Sequence, residues 1–432
     1  MSRPGLAFTQ GPPFTAPLRF FLTTPLFLML AALAAIPLAP EWTASRWTPA
    51  ALALTHLLTL GFLGLVMVGS LLQMLPVVIG SPVPAVMAVT RSAHLGLTAG
   101  TLLLAAGLWR MEPAWIQAGM VALGLGWIPF VIAAGLSLLR APATAQIVLN
   151  PMRKAWLALL ATLGLGIYLA GGLSGLWPLH APQALTGLHA GWGLIGWVTI
   201  LIVGVAYHVV PMLQLTPPYS PALTRWLSWA LLAGLVLYSL SLFLPERQAA
   251  WAAVLAWLLA AFGVAAFAVA TLDIQRRRRR KVPDASLEFW RYALVGVILL
   301  IAASPLAVLL PEPWQGPMQV SLGLMFLLGF AVSIVHGMLY KIVPFLAWFH
   351  LQTQTRAKAG TIPNMKDMIP DAAVRRHLRQ HVAAVLLLLP APFLPPAASV
   401  PGLLLLAWSA HELWLNLLQA RRLFLAYGGM LA

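Results

Sequence analysis

The chain has 432 residues, of which 61% are hydrophobic and 8% charged, against ~25% charged in a typical soluble domain. That balance excludes a water-soluble globule, and with it a disordered chain, a coiled coil and a nucleic-acid-binding module. Cysteine is absent, so disulfides, zinc-thiolate sites, iron–sulfur clusters and covalent CxxCH haem attachment are excluded, and any metal or cofactor must use His, Met or carboxylate.

Taken in chain order, apolar runs predict twelve transmembrane helices, at roughly 19–39, 50–79, 92–109, 114–139, 154–176, 184–213, 223–244, 249–272, 289–310, 317–348, 380–396 and 400–424. The first has an apolar core of about twenty residues, longer than a signal-peptide h-region, and is read as a span. The fold class is therefore all-α, a polytopic membrane protein forming a single transmembrane domain over 1–432, with the lipid bilayer as its principal partner.

The net charge of +16 follows the topology. One face of the membrane collects Arg3, Arg19, Arg91, Arg140, Arg153, Lys154, Arg225, Arg276 to Arg280, Lys281, Arg291, Arg356, Lys358, Lys366, Arg375, Arg376, Arg379, Arg421 and Arg422, which is 22 of the 26 basic residues. Arg46, Arg110 and Arg247 fall on the other face, and Lys341 lies near a helix end. The positive-inside rule then predicts a bacterial-type inner membrane with both termini cytoplasmic. The run Arg276 to Lys281 reads as a stop of this kind, with no separate function.

Three even-numbered segments close alike: Gly69-Ser-Leu-Leu-Gln73-Met-Leu-Pro76, Gly204-Val-Ala-Tyr-His208-Val-Val-Pro211 and Gly337-Met-Leu-Tyr-Lys341-Ile-Val-Pro344. The glycines are 135 and 133 residues apart, which predicts three pseudo-repeated four-helix units, approximately 19–139, 154–272 and 289–424. Within the motif, the small residue allows close helix approach, the polar slot reaches the headgroups and Pro ends the helix.

The repeat gives the histidines a depth at ~1.5 Å per helical residue. His56 and His189 lie 20 and 22 residues before the motif prolines, level with each other near the periplasmic starts of equivalent helices. Both are expected to face a common space as axial ligands of a bis-imidazole haem, with His189-Ala-Gly-Trp-Gly, Gly61 and Gly64 offering flat surface to a macrocycle. His336 and His411 lie nearer mid-membrane and are candidates for a second metal or haem site, with the neighbouring Glu412 as a proton-path or ion-pair group. The polar-slot His208, the cytoplasmic His94, His350, His377 and His381, and the loop His180 read as headgroup-facing or surface residues, with a quinone or partner site near His350 left open.

These features together resemble subunit I of the haem–copper oxidase superfamily, and especially its divergent relatives, the NnrS-like membrane haem proteins of nitric-oxide response. Thr55-His56-Leu-Leu-Thr, Gly69 and Met74-Leu-Pro76-Val-Val-Ile-Gly80 are similar to that family's second helix. His189-Ala-Gly-Trp-Gly-Leu-Ile-Gly-Trp, running to Gly204-Val-Ala-Tyr-His208-Val-Val-Pro211, is similar to its haem-ligand helix. The resemblance implies twelve spans in three arcs, both termini inside, and a low-spin haem b held by His56 and His189. It departs from the family at Gly187, where the family's His-x-His has its first His, and in lacking a His-His pair, so copper and dioxygen reduction are not expected.

The resulting expectation is a haem b-binding inner-membrane protein with an electron-transfer or nitric-oxide-related role, working with a redox partner subunit or a quinone. Two alternatives stand beside it. One is a cofactor-free transporter, against which threefold rather than paired repetition argues. The other is an oxidoreductase proper, a terminal oxidase or nitric-oxide reductase using His336 and His411.

Overall fold

The computed structural model describes residues 11–142, 145–279, 282, 284–355 and 362–431. Arg3, Arg280, Lys281, Arg356 and Lys358 of the charge count lie outside them. Among the described residues the secondary structure is entirely helical. Ten helices among the described residues are long and apolar enough to cross a membrane: α1 (Thr15–Ala35), α2 (Pro49–Val77), α3 (Val86–Arg110), α4 (Pro113–Arg140), α5 (Gln146–Leu173), α6 (Pro182–Gln214), α7 (Pro221–Ser241), α8 (Glu246–Arg276), α9 (Ala285–Leu309) and α10 (Gln315–Gln354). Of two further helices, α12 (Val400–Ala426) matches the last expected segment, whereas α11 (Asp371–Leu388) shares only 380–388 with the expected 380–396. They fall outside the ten because polar residues dilute them: Arg375, Arg376 and Arg379 in α11, His411, Glu412 and Asn416 in α12.

Local chemistry sets several boundaries. Thr48, Ser220 and Asp284 each accept a hydrogen bond from a backbone N–H of the first turn of α2, α7 and α9, satisfying donors that a helix start leaves unpaired. Pro49, Pro182 and Pro221 open α2, α6 and α7, where the missing N–H costs nothing. The motif prolines act differently from expectation. Pro76 and Pro211 lie just inside the ends of α2 and α6, but Pro344 is interior, and α10 runs on to Thr355.

Three helices share a feature of the backbone. Helices α2, α6 and α10 each change from α to π winding for eight residues, over Leu57–Gly64, Trp192–Thr199 and Met325–Val332. Each stretch opens twelve residues before its motif glycine. Long π segments are rare, and these three stand at one distance from their glycines. Each also holds a Gly-aromatic pair at one place, Gly61-Phe62, Gly196-Trp197 and Gly329-Phe330. A Cβ on Gly61 would stand 2.2 Å from the Phe27 ring and one on Gly196 2.7 Å from Ala158, so two of the three let a neighbour pack against the wound-out turn. These same helices are the most enclosed: 67, 72 and 72% of their apolar stretches is buried, against 22–56% for the other seven.

The chain divides into two compact units, one comprising 11–74, 85–130 and 283–432, the other 75–84 and 131–282. In the larger, α1 and α11 both pack on α12, α2 on α3, and α9 on α10. Its α3–α4 pair approaches through glycine: a Cβ on Gly96 would lie 2.5 Å from the Gly126 backbone N, and one on Gly100 2.6 Å from that of Leu123. Close backbone approach of this kind replaces the hydrophobic drive that is absent between helices in lipid. In the smaller unit α5 packs on α6 and α7 on α8, and Trp156 and Arg153 of α5 donate to the Val131 and Leu138 carbonyls.

Candidate functional site

His56 belongs to the larger unit and His189 to the smaller, so each is described within its own surroundings. His56 is the last α-helical residue of α2, immediately before the π stretch. Its Nδ1–H donates to the Leu52 carbonyl one turn back, at 2.8 Å. His189 lies two residues before the corresponding position, which is Gly191, and its Nδ1–H donates to the Thr162 carbonyl of α5 at 3.1 Å. Both rings are half-buried. In each, a proton fixed on Nδ1 makes Nε2 the lone-pair nitrogen, the arrangement by which an outer-shell carbonyl orients a metal-ligating imidazole. The His189 ring rests against Gly166, where a Cβ would come within 3.1 Å of Cε1.

The glycines expected to border a macrocycle divide. Gly61 is covered by Phe27 and does not present a bare surface, and Gly64 has Leu97 and Trp127 at ordinary contact distance. A Cβ on Gly191 would meet Leu235 at 3.6 Å and one on Gly193 would meet Thr162 at 3.3 Å.

His336 and His411 do not pair. His411 is exposed on α12, its ring 6.4 Å from Trp414. His336, on α10, is fully buried, and its ring neighbours are His377 and His381 of α11, each at 4.7 Å between centroids. The expectation that His377 and His381 lie at the surface is therefore overturned: both are 0% exposed, with centroids 6.2 Å apart. One signal for this was in the sequence. Val374, His377, His381, Ala384, Val385 and Leu388 recur at helical spacing and form the buried stripe of α11, while Arg375, Arg376 and Arg379 lie off it.

Around this trio the polar atoms are unevenly served. His381 Nε2–H donates to the Leu328 carbonyl at 3.1 Å and lies 2.9 Å from Ser333 Oγ. His377 Nδ1 is 2.9 Å from the Tyr340 hydroxyl, which accepts a hydrogen bond from Asn416 Nδ2 at 2.9 Å. Both ring nitrogens of His336, Nε2 of His377 and Nδ1 of His381 have no hydrogen-bond partner. Phe289 packs against all three rings, and Phe62 meets His336 edge-on at 5.5 Å. Among the described residues no group of three His, Cys, Asp or Glu is posed to hold a metal ion as it stands.

The remaining candidates are occupied with structure. Glu412 accepts from Arg376 at 2.7 Å, the ion-pair half of its expected role. His94 is hydrogen-bonded to Thr23 at 2.9 Å, and His350 stacks on Phe14. The polar slot does not reach outward as expected. Gln73 is buried, His208 is half-buried, and Lys341 pairs with Asp284 at 2.7 Å. Burial would raise the Asp284 carboxyl, but the Lys341 charge and the hydrogen bonds from Lys341 and Ser286 hold it below the usual carboxylate range.

Neither protein-family models nor curated proteins give a match to this chain.

Proposed function

We propose that this chain is a twelve-span inner-membrane protein that binds haem b through His56 and His189, in the manner of the haem–copper oxidase subunit I family it resembles, and serves electron transfer or a nitric-oxide-related role. The observation carrying this reading is the matched state of the two imidazoles. Each lies at the head of a π-interrupted, repeat-related helix and gives its Nδ1 proton to a backbone carbonyl, which directs the Nε2 lone pair away from that bond. Haem b, when bound, would supply one-electron redox chemistry, and His56 and His189 would be the residues that hold it. The residues of the chain do the rest. Leu52 and Thr162 hold the rings in one tautomer, and Gly166 gives the His189 ring room to sit flat. The proposal includes α11 and α12 as the last two spans, with both termini on the basic, cytoplasmic face.

An absorption spectrum of the full chain in detergent tests it, after expression with ample haem. The expected result is a reduced low-spin b-type spectrum, lost in both His56→Ala and His189→Ala. A colourless, iron-free wild-type preparation overturns it.

A further inference from the structure

We propose that His336, His377 and His381 form a three-imidazole site for a divalent transition-metal ion of the kind that imidazole suits, such as zinc(II) or copper(II). The inference is independent of the haem reading, since none of these residues belongs to it. It begins from a deficit. Buried ring nitrogens are ordinarily hydrogen-bonded, yet four of the six in this cluster have no partner, although all three side chains are wholly buried. They belong to rings packed directly on one another, so a single occupant between them would meet one nitrogen of each ring.

The partners that do exist fit a cation. His381 commits Nε2–H to the Leu328 carbonyl, which leaves Nδ1 with the lone pair. His377 engages the Tyr340 hydroxyl through Nδ1, which leaves Nε2 as its unbonded nitrogen. His381 Nδ1 and His377 Nε2 are among the four without a partner. Ligating histidines are oriented in this way, through an outer-shell acceptor on the other nitrogen. The spacing also agrees. With metal–nitrogen bonds of about 2.0–2.1 Å and tetrahedral angles, ring centroids fall about 5 Å apart, and here they stand at 4.7, 4.7 and 6.2 Å. His377 and His381, four residues apart on one face of α11, act as a pair across from His336 on α10. Loading requires the rings to turn about their terminal torsions, because as posed no trio among the described residues is in ligating geometry. No carboxylate joins the set, so three neutral imidazoles select a borderline ion over calcium or magnesium.

The test uses the full chain in detergent, stripped with a chelator and titrated with zinc(II) alone, then with copper(II) alone. One ion per chain is expected. His336→Ala, His377→Ala and His381→Ala should each weaken it at least a hundredfold, while His411→Ala leaves it unchanged. Ser333→Ala, which removes one neighbour of the His381 ring, should weaken it about tenfold. X-ray absorption on the zinc-loaded wild type reads the ligands without any variant having to fold, and a shell containing three imidazoles is expected. The proposal is overturned if the wild type binds no stoichiometric ion, if the three alanine variants bind as the wild type does, or if the shell contains only oxygen.

Discussion

Two polar groups on α10, five residues apart, are treated in opposite ways. Lys341 meets Asp284, whose other oxygen receives Ser286, and nearby Arg375 joins Glu288 and Asp371. Every charge in that network has a counterpart. His336 is wholly buried among Phe62, Phe289 and two further histidines, and neither of its nitrogens is bonded. A partnered polar group at a helix end holds helices in place. An unpartnered one in a tight apolar setting carries a cost that packing alone does not explain, and such groups call for a separate explanation. The contrast separates partnered from unpartnered polar groups of the larger unit.

The largest effect should come from breaking the partnered network. Asp284→Ala strands Lys341 and removes the cap of α9 together, and a loss of about 1–3 kcal/mol is expected in reversible unfolding in detergent. The same carboxylate sets an acid limit. Its folded pKa lies below the unfolded value of about 3.9, so its contribution is complete above that value and is lost as pH falls through the lower folded one. Asp284→Asn should flatten this part of the stability–pH profile, and a profile of unchanged shape would show that the pair contributes nothing.

The opposite sign is expected at His336. Replacing it with Leu removes two unbonded buried nitrogens, so the metal-free protein should gain about 1–2 kcal/mol. Added zinc should then stabilise the wild type and leave the variant unmoved. Destabilisation of the metal-free protein by His336→Leu would erase the distinction between the two groups.

A smaller effect is expected at Gly166. Alanine there presses the His189 ring by a few tenths of an ångström. Haem should be retained with a shifted reduced spectrum, against its complete loss in His189→Ala. The smallest change should come from Gly164→Ala, where a Cβ meets nothing within 4 Å. There a helical glycine is replaced without a clash, and thermal scans should show no loss and up to about 1 kcal/mol of gain.

Much of the helical layout was legible. The expected 184–213 and 223–244 correspond to α6 at Pro182–Gln214 and α7 at Pro221–Ser241, because long apolar runs bounded by Pro and polar caps leave little choice in a bilayer. The start of α11 was not legible. Hydropathy begins it near 380, whereas the helix begins at Asp371, since its first turns are amphipathic and a hydropathy window averages one buried face with one of arginines. That averaging also sent His377 and His381 to the surface. The π stretches escaped for a different reason: depth counted at a uniform rise assumes α winding throughout, and neither composition nor spacing reports a backbone that widens for eight residues. The recurring Gly61-Phe62, Gly196-Trp197 and Gly329-Phe330 were the available trace.

Those stretches have a further consequence. Along a continuous α-helix each residue turns the side-chain direction by about 100°, so whatever faces inward at one end dictates what faces inward at the other. A π segment absorbs extra residues without lengthening the ladder in proportion, and it acts as a clutch between two halves of one rod. The half carrying His56 therefore keeps an angle to the half carrying Gly69 that eight residues of α winding would not give. Removing a single residue from Leu57–Gly64 would let the stretch return toward α winding with that angle largely kept.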